Sequence, residues 1–392
     1  MPAKALPGAH IALLQQTLHP TGGQLDQFFI AEDGALWVAW VIGGGQWQPP
    51  HRISEPRLAP PGAPVAAAVR RTTVIVPSYE RGEAGDAHDT DGKDGYEIVP
   101  VEEFFPEINV FFVGHNGAVY VAWVQGSGLW QGPVAISEPG TAPPGAHIKA
   151  AHQLSEVQLD VLFFGNQGEL NVMWASGDKV GADGWHGPAA VSPKDVNLPG
   201  GAFAAIMQGE HQLDVVFIGT NEGLQVSWVV GMGAWQGPVT VSNTRIAPAG
   251  AGIAAAGQGP NQLSAFFVDH QGALNVSWVV GGGIWQGPVA ITPRETAPAG
   301  AALATGYQGS PNQLDVLYVG SNQQLHVSWV EGLGTWQGPV GLGPSGIAPA
   351  GAPLATFPQT NTQLNAFCVG QDRFVYWVVN AGVWQGPVAL PD

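Results

Sequence analysis

The sequence predicts an all-β fold, a seven-bladed β-propeller with four antiparallel strands per blade, and three observations carry that expectation. The first is composition: 56 Gly and 33 Pro break helices, while an apolar content of 45% with 15 Trp is too high for a disordered chain. The second is a pair of tryptophans repeated along the chain. One member stands at Trp40, Trp123, Trp174, Trp228, Trp278, Trp329 and Trp377. The other, usually continuing as Gln-Gly-Pro-Val, stands at Trp47, Trp130, Trp185, Trp235, Trp285, Trp336 and Trp384, which leaves only Trp37 outside the pattern. The third is a glycine followed by small apolar residues at Gly8, Gly62, Gly145, Gly200, Gly250, Gly300 and Gly351, at intervals of 54, 83, 55, 50, 50 and 51 residues.

The fifth unit shows each strand most clearly. Ile253–Gln258 reads as the first strand, Gly259-Pro260-Asn261 as a turn and Gln262–Val268 as the second strand. Gly272 leads into a third at Ala273–Val280, and Gly281 to Gly283 make a hairpin into a fourth at Ile284–Ile291. Runs such as AFFV and VSWVV are apolar on consecutive residues, as expected for sheets covered on both faces. On this basis the chain is one domain of blades at about 1–56, 57–139, 140–194, 195–244, 245–294, 295–345 and 346–392. The segment before Gly8 resembles the linker after each fourth strand, so the last unit runs into the first as a closed ring requires. Whether closure shares a strand between the termini or uses packing alone is open at this level.

The second unit is longer than the others by about 30 residues, placed near 77–106 between its first and second strands. Ten acids against Arg81 and Lys93 in Glu80–Glu107 contribute −8 of the net charge of −17. This insertion reads as a solvated loop. Asp86, Asp89, Asp91 and Asp94 suggest a calcium loop, but Gly at the sixth position would put Ala87 or Thr90 at the first. The acidic balance argues against nucleic acid, whose phosphates need Lys and Arg patches. The single Cys368 excludes an internal disulfide framework, and no apolar run is long enough to insert in a membrane as a helix. No Cys/His spacing suggests a metal, no cofactor motif occurs, and no Gly-x-Ser-x-Gly elbow or P-loop points to an enzyme. The start of the chain has no signal-peptide layout, so synthesis in the cytoplasm, with later release left open, is the expectation.

Strand direction puts the end of strand one, the start of strand two and the start of strand four on one rim. Three repeated positions lie there. Gln16, Gln153, Gln208, Gln258, Gln308 and Gln359 end strand one, with Arg70 in unit two; Gln24, Gln158, Gln212, Gln262, Gln313 and Gln363 start strand two, with Glu107 in unit two. The strand-four tryptophans, Trp47 through Trp384, complete the set. An indole offers a flat apolar platform and an amide both donates and accepts, which is the mixture a sugar needs. The competing reading is that repeated amides satisfy buried backbone groups at strand ends. The strand-three tryptophans read as core. Asp26, Asp160, Asp214 and Asp315 share a strand-two position with Asn109, Ser264 and Asn365, a substitution pattern of hydrogen bonding and not of acid–base catalysis.

Taken with the blade cores Leu314-Asp315-Val316-Leu317-Tyr318-Val319, Leu325-His326-Val327-Ser328-Trp329 and Gly334-Thr335-Trp336, the repeat resembles the bacterial seven-bladed β-propeller lectins of the Photorhabdus type. The resemblance spans the whole chain in repeat number and Trp placement. It implies a non-enzymatic, multivalent carbohydrate-binding protein without cofactor, recognising fucose- or galactose-containing glycans at quasi-equivalent sites between blades, with homo-oligomers compatible. The alternatives are a protein-interaction scaffold using one face of the ring and, less favoured, a glycan-processing enzyme. The insertion and the Gln-Gly-Pro-Val endings depart from the family pattern. Because Arg70 and Glu107 replace both Gln positions, the site bordering unit two should be covered or altered.

Overall fold

The computed structural model describes residues 4–16, 23–81, 96–126, 128–153, 158–176, 179, 181–259, 261–308, 313–360 and 362–391, with the main chain alone for 71–81 and 96–105. The strands form seven four-stranded sheets, each a contiguous stretch of sequence with its strands in chain order. Blade 1 holds β1 (Ala12–Gln16), β2 (Gln24–Ile30), β3 (Leu36–Ile42) and the short β4 (His51–Arg52). Blade 2 holds β5 (Val65–Arg81), β6 (Tyr96–Val113), β7 (Val119–Gln125) and β8 (Gln131–Ala135). Blade 3 holds β9 (Ile148–His152), β10 (Leu159–Phe164), β11 (Leu170–Ala175) and β12 (Trp185–Ala190). Blade 4 holds β13 (Ala204–Gln208), β14 (Gln212–Ile218), β15 (Leu224–Val230) and β16 (Gln236–Thr240). Blade 5 holds β17 (Ile253–Gly257), β18 (Gln262–Val268), β19 (Leu274–Val280) and β20 (Gln286–Ala290). Blade 6 holds β21 (Ala304–Gln308), β22 (Gln313–Val319), β23 (Leu325–Glu331) and β24 (Gln337–Leu342). Blade 7 holds β25 (Leu354–Thr360), β26 (Gln363–Val369), β27 (Arg373–Val379) and β28 (Gln385–Ala389). The first strands touch in succession around the axis, and β25 touches β1.

The core lies in the seams between blades. Second strands are buried on both faces, as in β10, where all residues from Leu159 to Phe164 are buried, which is why they read as continuous apolar runs. Each seam collects residues from two neighbours. Phe266, Val268 and Val276 of blade 5 pack with Leu314, Val316 and Tyr318 of blade 6, for example. The fourth strand is the exposed edge, and its Gly-Pro step suits that place because proline has no N–H to donate to a ladder.

The marker glycines have one shared job. Gly62, Gly145, Gly200, Gly250, Gly300 and Gly351 each donate their amide to the last residue of the previous blade's second strand (Ile30, Val113, Phe164, Ile218, Val268 and Val319) at 3.0–3.3 Å. Each has φ between 65° and 75°, a left-handed turn that side chains resist. Gly8 (φ 78°) makes the same bond to Val369 of blade 7 at 2.9 Å. The ring therefore closes by repeating its ordinary linker contact, without a strand shared between the termini. Leu25, Val41, Phe367, Val375 and Leu390 pack in the closing seam, and the buried Arg373 donates to Gln27 at 2.6 Å while lying 4.8 Å from the Phe29 ring centre.

The insertion differs from the expected loop. β5 and β6 continue their pairing beyond the blade from Arg71↔Pro106 to Arg81↔Tyr96, so the extra residues form a two-stranded arm. The reason is local: Thr72–Val76 and Ile98–Val101 are rich in β-branched residues that favour strands, a signal the acid count concealed. Asp86, Asp89, Asp91 and Asp94 lie outside the described residues.

Candidate functional site

On each blade one face carries a repeated polar and aromatic set, fixed by strand register. The strand-two polar residue sits directly across from the strand-three tryptophan: Asp26↔Trp40, Asn109↔Trp123, Asp160↔Trp174, Asp214↔Trp228, Ser264↔Trp278, Asp315↔Trp329 and Asn365↔Trp377. Cross-strand partners share a face, so this set looks into the seam with the following blade. There the strand-four tryptophan of that next blade meets it. Trp47, Trp130, Trp185 and Trp336 lie edge-on to Phe367, Phe28, Phe111 and Phe266 of the preceding blades, with ring centres 5.2–5.6 Å apart. Trp235, Trp285 and Trp384 pack into the corresponding seams. Five of the seven precede the fourth strand by one residue, Trp47 precedes the short β4 by four, and Trp185 lies within its strand.

Both tryptophan columns are half-buried in every blade. The strand-three tryptophans were expected in the core, yet each keeps part of its indole accessible, so a seam presents two partly open indoles from adjacent blades. A third contributor is the strand-four Gln. Gln131, Gln236, Gln286, Gln337 and Gln385 are exposed and stand across from Trp123, Trp228, Trp278, Trp329 and Trp377. The signal for it was the Trp-Gln-Gly-Pro-Val string, whose Gln is tied by register to the neighbouring strand's Trp.

The two other Gln columns are engaged within the protein. The strand-one Gln reaches over the seam to the hairpin that joins the third and fourth strands of the next blade. Gln208 donates to the Gly281 carbonyl at 3.0 Å, Gln258 to Gly332 at 2.9 Å, Gln359 to Gly43 at 2.7 Å, and Gln153 to Gly231. The strand-two Gln joins its neighbours laterally. Gln212 donates to Gln208 at 3.2 Å and Asp214 at 2.9 Å, Gln158 to Gln153 at 3.2 Å and Asp160 at 3.1 Å, and Gln363 to Gln359 at 3.0 Å and Asn365 at 2.9 Å. Gln262 bonds Gln258 at 3.3 Å and Ser264 at 3.4 Å, and Gln313 bonds Asp315 at 3.2 Å. In the first seam Gln16 and Gln24 both donate to Asp26, at 2.6 and 2.7 Å. Gln308 is buried beside Asp315, whose carboxylate it helps stabilise. These amides join blade to blade and form the polar floor beneath the tryptophans.

Burial dominates the electrostatics of that floor. Asp26, Asp160, Asp214 and Asp315 are each pushed up to about 6, because desolvation penalises the carboxylate more than the Gln hydrogen bonds favour it. Among the described residues no cluster of His, Cys, Asp and Glu suits a metal ion, and no helix is long and apolar enough to cross a membrane.

The seam between blades 2 and 3 is built differently. Arg70 and Glu107 are both fully buried and pair at 3.0 Å. Arg70 also donates to the Lys179 carbonyl, and the Gly181 amide donates to the second Glu107 oxygen at 3.0 Å. Burial pushes the Glu107 carboxyl up, with Arg70 and the Gly181 amide pulling it back.

No protein-family model matches the chain, and no curated protein matches it. Solved structures do. The BP39L lectin from Burkholderia pseudomallei is 35% identical, with a TM-score of 0.84 over 99% of this chain and 99% of that one. A fungal lectin from Aleuria aurantia, described as a six-bladed β-propeller with a novel fucose recognition mode, is 15% identical with a TM-score of 0.57, covering 100% of this chain and 98% of its own. An Aleuria aurantia lectin variant in complex with α-methyl-L-fucoside is 17% identical with a TM-score of 0.55, over 88% of this chain and 99% of that one. The two fungal likenesses carry the propeller architecture only. The identity to BP39L extends over the full ring, and the chain belongs to the same family of β-propeller lectins.

Proposed function

We propose that this lectin binds fucose-type monosaccharide units, terminal on glycans, at the seams between blades. The observation that carries the reading is the repeated pair of half-buried indoles, strand-three Trp of one blade and strand-four Trp of the next, above a floor of amides and carboxylates. The indoles supply apolar platforms for a C–H face or a methyl group. The exposed strand-four Gln, whose amide N–H binds the carbonyl two residues back (Gln286 to Ile284, 3.2 Å), keeps its carbonyl oxygen for a sugar hydroxyl. The strand-one and strand-two Gln columns act one layer below, holding blades and tryptophans in register. The fucoside complexes of propeller lectins support this sugar class; galactose-type sugars are the second class to try.

A seam of this kind buries little area, so each site should bind free sugar with roughly millimolar to micromolar affinity. Several such sites on one ring raise avidity by ~10²–10⁴ where the surface geometry allows simultaneous engagement. Calorimetry with methyl α-L-fucoside, set against binding to a dense fucosylated surface, tests this. Equal affinities in the two formats would contradict it, as would a glycan array without fucose or galactose hits. Trp278→Ala with Trp336→Ala, in the seam between blades 5 and 6, should abolish sugar density there alone in crystals.

A scaffold reading has one observation in its favour. Leu129, Met232, Ile284, Leu333 and Val383 at the hairpin tips are 71–85% exposed on the same rim. Polar substitution of these tips, with glycan binding retained and a protein partner lost, would support it.

A further inference from the structure

We propose that the seam between blades 2 and 3 is closed by the chain's own hairpin, takes no sugar, and serves instead to anchor the acidic arm. The inference rests on the reading of the other seams as sugar sites. Between its two tryptophans blade 3 has 11 residue steps (Trp174 to Trp185), whereas every other blade has 7, as from Trp228 to Trp235. The four additional residues lie between β11 and β12, and of the described residues there Gly181 and Ala182 reach into the seam. Gly181 is buried and its backbone rests on the Trp123 indole. A Cβ added there would lie 2.1 Å from the ring, so only glycine fits. The Trp185 indole N–H is used up on the Gly181 carbonyl at 2.9 Å. Ala182 packs into the seam core beside Trp185. Elsewhere, among the described residues, the strand-four tryptophan is the hairpin's sole contribution to a seam core.

The polar floor is locked to the same hairpin. Where other seams have an amide pair, here a guanidinium and a carboxylate, both fully buried, grip the Lys179 carbonyl and the Gly181 amide. The Arg70 guanidinium carbon also stands 6.0 Å from the centre of the Trp185 ring. A sugar entering between Trp123 and Trp185 would have to displace a backbone segment and strip partners from two charges already removed from water, with no solvent to replace them. In other seams the strand-one amide also bonds a hairpin carbonyl, as Gln258 does with Gly332, but no buried charge is at stake there.

The arm supplies a use for this lock. Arg70↔Glu107 is a rung of the β5–β6 ladder, and the next rung, Arg71↔Pro106, begins the extension. The ion pair and its two hairpin bonds tie the base of the arm to blade 3. One sector of the ring thus exchanges a binding seam for a foundation, leaving six open seams by this count and a gap in the rim where the arm emerges.

Crystals of the full chain soaked with methyl α-L-fucoside should show sugar in seams other than that between blades 2 and 3. Sugar between Trp123 and Trp185 in the wild type overturns the proposal. A variant carrying Arg70→Gln, Glu107→Gln and the blade 4 sequence Val-Val-Gly-Met-Gly-Ala in place of residues 175–184 should gain sugar in that seam. A folded variant with no gain overturns the assignment of closure to these groups. Hydrogen exchange gives a sugar-independent reading, in the wild type and whether or not the variant folds: the Gly181 amide should exchange at least tenfold more slowly than those of Gly233 and Gly283. Comparable rates overturn closure. Slow exchange at Gly181 with no sugar in any seam would sink the seam-site reading while leaving the closure intact.

Discussion

At the scale of the residue, the strand-two aspartates are the most informative groups. Asp214 is 2% exposed and receives the Gln212 amide on both oxygens, yet its carboxyl is raised to about 6. A folded-state value above the unfolded one means that the native protein binds the proton more tightly. The stability tied to this group is complete below the unfolded value of 3.8 and is lost as pH rises through about 6. Asp26, Asp160 and Asp315 behave alike, whereas the half-buried His10 and His147 run the other way: desolvation lowers them to about 3 and about 4, so acid works against the fold there. A single substitution isolates one contribution. Asp214→Asn keeps an acceptor for Gln212, and asparagine already fills this position as Asn365. The melting temperature of the variant relative to wild type should therefore be higher at pH 7.5 than at pH 4.5; a pH-independent difference would refute the assignment. Gln258→Ala tests the amide column. It strips the Gly332 carbonyl and the Gln262 amide of a partner and should destabilise the fold by ~1–3 kcal/mol in denaturant unfolding. If Gln258 instead touched sugar directly, affinity would fall while stability held.

At the scale of the element, the linker glycine decides how one blade is handed to the next. Gly300 has φ 72°, and a Cβ there would approach the Ala251 Cβ to 3.3 Å. Gly300→Ala should cost at least ~1 kcal/mol, since a side chain is strained in the left-handed region and its neighbour must also give way. Thermal unfolding of the variant measures this, and an unchanged midpoint would show that the linker is not under that constraint. The arm is the opposite case. Its rungs from Arg71↔Pro106 outward lie beyond the repeated strands. Joining Arg71 to Pro106 through a Gly-Asn turn should leave the ring's melting temperature within a few degrees of wild type, as read by scanning calorimetry.

At the scale of the whole molecule, stability is circular. Each blade buries its faces only against its neighbours, so removing one blade exposes two seams at once. Deleting residues 250–299 should therefore give insoluble or polydisperse protein by light scattering; a monodisperse six-bladed product would show that the seams adapt to a wider angle. The closing seam is made of the same parts as the rest. Gly8 to Val369 repeats the contact that Gly300 makes to Val268, and Gln359 to Gly43 repeats Gln258 to Gly332. Phe367→Ala, which removes a buried ring packed against Trp47 across the closure, should cost as much as Phe266→Ala within the ring, ~3–5 kcal/mol each. A much larger loss at Phe367 would mark the closure as the weak point.

Blade number, strand order and the positions of the turns were legible in the primary sequence because each is a local consequence of repeated residues. Gly272 and Gly281–Gly283 punctuate blade 5, and the runs between them match its observed strands to within one or two residues at every end. Composition likewise pointed to sheets, since Gly and Pro at this density leave no room for helices. What residues do across a seam depended on the tertiary structure. Gln258 looks the same on paper whether it meets a sugar or the Gly332 carbonyl, because its partner lies 74 positions away on the next blade. The strand-three tryptophans read as core, yet their exposure is set by how widely two sheets splay at the rim, a property of the assembled ring. Arg70 and Glu107 were visible as a break in the repeat, but only packing shows two charges buried together under a longer hairpin. Periodicity is a local property and survives in one dimension; burial and partnership belong to pairs of blades and exist only once the ring has closed.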